Sequence, residues 1–136
     1  MVPDDRWADL AATIPGGFAG IFRDSAHSQI LMLTRPAEAA AAKQALVGKL
    51  DYQWAQATVR QARWDFAQLV DWYNYIFPRV AVGPMMADKD EVLNRIHFTV
   101  SDADTRDRLV RALSSMPLPC DLVVVDVKRI TVRLTQ

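Results

Sequence analysis

The stretch FAGIFRDSAHSQILMLTRPAEAAAAKQALVGKL, residues 18–50, decides the fold. Phe18 to Arg23 and Gln29 to Leu33 are short apolar runs. Asp24, Ser25 and Ser28 between them are turn formers, so the order predicts a β-hairpin. Thr34 or Arg35 then opens a helix with Pro36 in its first turn, where a missing N–H costs nothing. That helix runs through the alanine-rich stretch to Leu50 and turns Leu46, Val47 and Leu50 inward.

On the N-terminal side of this stretch, Trp7, Leu10, Ala11 and Ile14 stand at helical spacing, and Pro15-Gly16-Gly17 stops the helix from Asp4 to Ile14. On its C-terminal side, Trp54, Gln56, Thr58 and Arg60 alternate with Ala55, Ala57 and Val59. That alternation predicts a third strand from Tyr52 to Gln61.

The same order returns in VAVGPMMADKDEVLNRIHFTVSDADTRDRLVRALSSM, residues 80–116. Asp65 and Gln68 form a capping-box pattern for the helix that precedes it, in which Phe66, Leu69, Val70, Tyr73, Ile76 and Phe77 make one apolar stripe before Pro78. Val80 to Met86 and Arg95 to Val100 read as a second hairpin across a charged connection, Ala87 to Glu91. Ser101 and Asp104 then suggest a cap for a helix to about Met116, burying Leu109, Val110, Leu113 and Met116. A strand from Asp121 to Val127 closes the unit. In the tail the alternation changes parity between Val127 and Ile130, which a bulge near Lys128-Arg129 would reconcile.

The expected fold is therefore α+β, with two α-β-β-α-β units at 1–62 and 63–136, as two joined halves or one compact domain. Each unit's helices would pack on one face of a mainly antiparallel sheet. A chain of 136 residues with 51% hydrophobic and 24% charged residues is ordinary for a globular protein. It needs no metal or disulfide to fold, and Cys120 is the only cysteine.

The helix WDFAQLVDWYNYI (residues 64–76), the hairpin, the strand NRIHFTV (residues 94–100) and the capped helix and strand after it resemble the pro-regions of alpha-lytic-type, chymotrypsin-like bacterial proteases. Asp90 and Asn94-Arg95-Ile96 occupy the places of the "D…NRVVV"-like strand of those pro-regions. The resemblance covers Trp64 to Val127 best. IPGGFAGIFRD (residues 14–24) is similar to a first hairpin in stand-alone bacterial proteins that carry the same second half. Such pro-regions assist folding of their protease and occlude its active site. No protease domain follows here, so the resemblance implies a protein-binding module, protease-binding or inhibitor-like.

The residues offer little chemistry. His27 lies in a predicted turn and His97 in a strand, with no G-x-S-x-G motif beside them, so both are expected to be structural or surface residues. Asp88, Asp90 and Glu91 lack the glycine and terminal glutamate of a calcium loop and read as a charged turn. Pro15-Gly16-Gly17 and Gly20 follow a helix and precede a strand, the reverse of a phosphate loop. Cys120 has no histidine near it and is expected to be a buried or incidental thiol. The expectation is no enzyme, no metal and no cofactor.

Sixteen basic and sixteen acidic residues give no net charge, which argues against nucleic acid. A KH-type RNA binder, the alternative suggested by the element order, would need a GxxG loop between helices. The other alternative, a small-ligand enzyme, would need a pocket. No apolar run is long enough to span a bilayer. The start MVPDDRW carries no signal-peptide pattern, so a cytoplasmic protein or a mature exported region is expected. A protein partner is the remaining class. Its contacts are expected at Trp72 and Tyr75, which fall partly off the apolar stripe, and at Ile130, Val132 and Leu134 in the β-branched tail.

Overall fold

The computed structural model describes residues 4–80 and 82–128. Among them are four α-helices and two three-stranded sheets, laid out twice in the order α-β-β-α-β. The chain divides into two compact units, Met1–Val70 with Glu91–Asn94, and Asp71–Asp90 with Arg95–Gln136.

In the first unit, α1 (Asp4–Thr13) leads into β1 (Phe18–Arg23) and β2 (Gln29–Leu33), the hairpin expected from the sequence. β1 and β2 pair antiparallel, with Ile21 opposite Leu31 and Phe22 opposite Ile30. The chain enters β1 through Gly16 and Gly17, both at positive φ. A Cβ on Gly17 would collide with the Thr34 hydroxyl, because the Gly17 carbonyl accepts from Thr34 N at 3.0 Å. A 3-10 turn (Pro36–Glu38) and α2 (Ala39–Lys49) then carry the chain back, so that β3 (Thr58–Gln61) joins β2 in parallel. A helical crossover returns a strand in the direction it left, which makes this sheet mixed rather than mainly antiparallel.

One face of this sheet carries Phe18, Ile21, Leu31 and Leu33 against Trp7, Leu10 and Ile14 of α1 and Ala42 and Leu46 of α2. Trp7 stacks on Phe66 at 6.1 Å between ring centroids. Val47 and Leu50 are only half-buried at the margin of this core. Ala19, Ile30, Met32 and Ala62 form a second, smaller cluster.

The segment Tyr52–Gln56 is a 3-10 turn, not the start of a strand. The Asp51 side chain caps it by accepting from Gln53 N at 2.8 Å. Trp54 is the residue it buries, and Ala57, buried just past its end, follows at a spacing of three and not of two as along a strand.

α3 (Phe66–Ile76) starts with the capping box read from the sequence. Asp65 accepts from Gln68 N at 2.8 Å, and the Gln68 side chain accepts from Asp65 N at 2.9 Å. Phe66, Leu69 and Ile76 are buried, whereas Phe77 lies in the 3-10 turn beyond the helix and is 44% exposed. Leaving the helix takes Phe77 off the expected stripe.

In the second unit, β4 is Met85–Asp90, later than expected, and β5 is Arg95–Val100. Ala87 to Asp90 are strand residues rather than the connection, and the turn is 91–94. Its last residue, Asn94, takes the left-handed conformation with φ 56°, one that Asn tolerates better than most residues. α4 (Ala103–Ser114) is capped by Asp102, one residue past the expected Ser101, through Thr105 N at 2.7 Å. Thr105 and Leu109 are its buried residues. Val110, expected inside, is 44% exposed, and Leu113 and Met116 are half-buried. β6 (Val123–Val127) follows and pairs with β5 in parallel, Val125 opposite Phe98. α4 packs on β5 and β6, over the fully buried Ile96, Phe98 and Val100.

Candidate functional site

β6 is an edge strand. Among the described residues the second sheet runs β4-β5-β6, with no strand beyond β6. Ile96 N donates to Leu122 O at 2.9 Å and Lys128 N donates to Val100 O at 2.8 Å, one bond at each end of the parallel ladder. In a parallel pair every second residue directs both its N–H and its C=O to the same neighbour. Leu122, Val124, Asp126 and Lys128 therefore face β5, and Val123, Val125 and Val127 direct their backbone groups outward.

The devices that blunt an edge are charge, proline and bulges. VVVDV contains one charged residue, Asp126, and its carboxylate is taken up within the sheet. His97 of β5 stands between two aspartates, with Nδ1 3.2 Å from Asp90 Oδ2 and Nε2 2.6 Å from Asp126 Oδ2. The His97 side chain is 17% exposed. The imidazole thus ties β4, β5 and β6 together across the polar face of the sheet. The two carboxylates lie on opposite ring nitrogens, so they do not converge on a point where an ion could take all three ligands. No group of three or more His, Cys, Asp or Glu suited to a metal occurs among the described residues.

Trp72 and Tyr75, chosen from the sequence as partner contacts, touch each other edge to face at 5.9 Å and are both half-buried. The Arg79 guanidinium lies 4.1 Å from the centroid of the Tyr75 ring, and its Nη1 donates to Tyr75 O at 2.6 Å. Next along the chain, Tyr73 stacks on the exposed Phe77 at 5.3 Å, and Lys89 Nζ sits 4.2 Å from the Tyr73 centroid. The end of α3 therefore presents Trp, Tyr and Arg in ordered contact, the residue types that dominate binding hot spots. Ile130, Val132 and Leu134 lie outside the described residues.

The other residues singled out from the sequence are scattered. His27 sits in the β1–β2 turn at φ 63° and is exposed. Cys120 is exposed, so of the two expected readings, buried or incidental, the buried one does not hold. Asp88 and Asp90 belong to β4 rather than to the turn, whereas Glu91 opens the turn at 91–94. The sequence directs attention to strand edges and to the tail without singling out β6. The signal available was the run Val123-Val124-Val125, β-branched and free of proline and glycine.

No helix among the described residues is long and apolar enough to cross a membrane. No protein-family model matches the chain, and no curated protein matches it in sequence.

Proposed function

We propose that this protein is a non-enzymatic interaction module that takes an extended segment of another polypeptide along the open edge of β6. The observation that carries the reading is the outward N–H and C=O groups of Val123, Val125 and Val127 on a strand without proline, whose one charged side chain pairs with His97. Strand addition gains backbone hydrogen bonds without special side-chain chemistry, and pockets for alternate side chains supply selectivity. The aromatic and Arg79 patch at the end of α3 offers anchors of the kind that such partners use. The pro-region resemblance of Trp64 to Val127 makes a chymotrypsin-like bacterial protease the first class of partner to try.

The test uses Val125→Pro and Val125→Ala. The Val125 N–H points away from β5, so proline removes an outward donor and leaves the β5–β6 ladder intact. Alanine shortens the side chain and keeps the donor. Extended octapeptides selected from a random library on the immobilised protein, together with an alpha-lytic-type protease, are titrated against all forms by fluorescence anisotropy. Binding that weakens by about tenfold or more in Val125→Pro, and much less in Val125→Ala, supports strand addition. Failure to enrich any peptide, or equal binding by the proline variant, refutes it.

A further inference from the structure

The outward residues of β6 are alike and evenly spaced. Val123, Val125 and Val127 direct their N–H and C=O groups away from β5, with Val125 at the centre of the strand. In an antiparallel pair the hydrogen-bonded positions fall on every second residue, and the two residues at each such position exchange both of their bonds. A strand laid antiparallel along this edge must offer outward groups at the same spacing, and β6 itself does.

Register decides how well one β6 fits another. With Val125 opposite the partner's Val125, Val123 meets the partner's Val127 and Val127 meets the partner's Val123. All three outward valines then bond, and each pair on that face is valine on valine. On the other face Asp126 falls opposite the partner's Val124, and its carboxylate stays on His97 at 2.6 Å. Centring the pair on Asp126 instead sets aspartate against aspartate, which is destabilising. Centring it on Val124 sets Val127 against the partner's Asp121.

Helix α4 shows what kind of partner covers this edge. It packs on β5 and β6, with Thr105 and Leu109 buried. Arg108 lies on the flank of the helix beside Gly83, just ahead of β4. Val110 is one residue past Leu109 and so stands on the opposite flank, toward β6, where it is 44% exposed. Leu113 follows on the same flank and is half-buried, and Val127 at the end of β6 is 41% exposed. Arg106, also on that flank, is paired with Asp107 at 3.2 Å. An extended peptide on the edge leaves Val110 and Leu113 in water. A second copy brings its own α4 to the same face, because the two-fold axis between antiparallel edge strands stands perpendicular to the sheet.

We infer that two copies of this chain pair through β6, antiparallel and centred on Val125, into one six-stranded sheet with both α4 helices on one face. The interface is isologous and closes as a dimer. It rests on the same edge as the strand-addition reading, and it makes a second copy the occupant that a foreign segment has to displace.

Sedimentation equilibrium of the full chain, from about 1 to 200 µM, is expected to show a dimer with a Kd of about 10 µM or tighter. Val125→Pro, which removes the central bonds, and Val110→Lys, on exposed helix surface, each weaken it about tenfold or more. Val110→Lys melts as the wild-type monomer does, so its loss is not lost folding. Register is read by cysteine pairing in chains that also carry Cys120→Ser. Val125→Cys sets two Cα atoms about 5.5 Å apart, within disulfide reach, and forms a covalent dimer in air. Val127→Cys sets them about 14 Å apart and does not. A wild type that stays monomeric throughout, a dimer as tight in Val110→Lys, or cross-linking of Val127→Cys as fast as Val125→Cys overturns the pairing. A monomeric wild type leaves the peptide test at β6 standing. Failed peptide selection beside a dimer that cross-links at residue 125 removes the foreign segment and supports the pairing.

Discussion

Asn94 is 4% exposed and stands at φ 56°, and its side chain does three things at once. Oδ1 accepts from Arg63 N at 2.8 Å and from Trp64 N at 2.9 Å, and Nδ2 donates to Trp64 O at 2.8 Å. It thus satisfies the backbone just ahead of α3, from a residue thirty positions away in sequence. Asn94→Ala removes all three bonds, at about 1 kcal/mol each, and leaves two donors and an acceptor to find water. Alanine in the left-handed region adds about 1–2 kcal/mol. The expected loss is therefore about 4–5 kcal/mol.

Companion variants separate these contributions. Asn94→Gly loses the same bonds without the backbone penalty and is expected to be milder than alanine by about 1 kcal/mol. Asn94→Asp keeps the acceptor for both N–H groups but aims an oxygen at the Trp64 carbonyl, so it also destabilises, with the loss confined to one bond and its repulsion. Urea unfolding, followed by tryptophan fluorescence and far-UV circular dichroism with coincident transitions, measures all three. A loss under about 1 kcal/mol for Asn94→Ala, or equal losses for alanine and glycine, refutes the reasoning.

Leu69→Ala and Ile76→Ala empty sites that are 1% and 0% exposed, and each is expected to cost about 2–5 kcal/mol in a urea melt. Losses below about 1 kcal/mol at both would mean that α3 is not central to the core. The Asp102 carboxyl is held below its ordinary value of 3.8, first by accepting from the Thr105 backbone N–H. A carboxyl with a lowered folded-state pKa stabilises above 3.8 and loses that contribution as pH falls through the lowered value. The melting-temperature gap between wild type and Asp102→Ala should therefore be full at neutral pH and close in acid below 3.8, and a gap that persists there would contradict the cap.

Most of the fold was legible because its signals are local. The Asp24 to Ser28 turn between two apolar runs gave the first hairpin, and Asp65 with Gln68 marked the start of α3. The misreadings arose where two periodicities share the same residues. YQWAQATVRQ satisfies a two-residue alternation, yet Trp54 and Ala57 are buried at a spacing of three, and the Asp51 cap decides for the 3-10 turn. In the second hairpin, charge in ADKD imitated a turn, while the feature that makes the turn is Asn94 in a left-handed conformation. The His97 bridge was out of reach for another reason. Its partner Asp126 is 29 residues away, and strand register alone brings them together.

The repeated plan gives each sheet an equivalent third strand, and the two differ in how their outer edges are treated. Ala62 N donates to Leu33 O at 2.8 Å just beyond β3, as Lys128 N donates to Val100 O just beyond β6. By the same parallel-ladder rule, β3 directs only Val59 and Gln61 outward. β3 is four residues long and includes Arg60, and the Gln61 side chain folds back to donate to Thr34 O and Ala62 O. Shortness and a charged residue are the ordinary means of keeping an edge from recruiting another strand. β6 is longer, carries four valines in five residues, and has its one charge drawn into the His97 bridge. With the same strand order in both sheets, the difference lies in strand length and side chains. Among the described residues β3 is the shorter edge, with the Gln61 side chain folded back on it, and β6 the longer one, which is why β6 rather than β3 is the strand proposed for an extended partner.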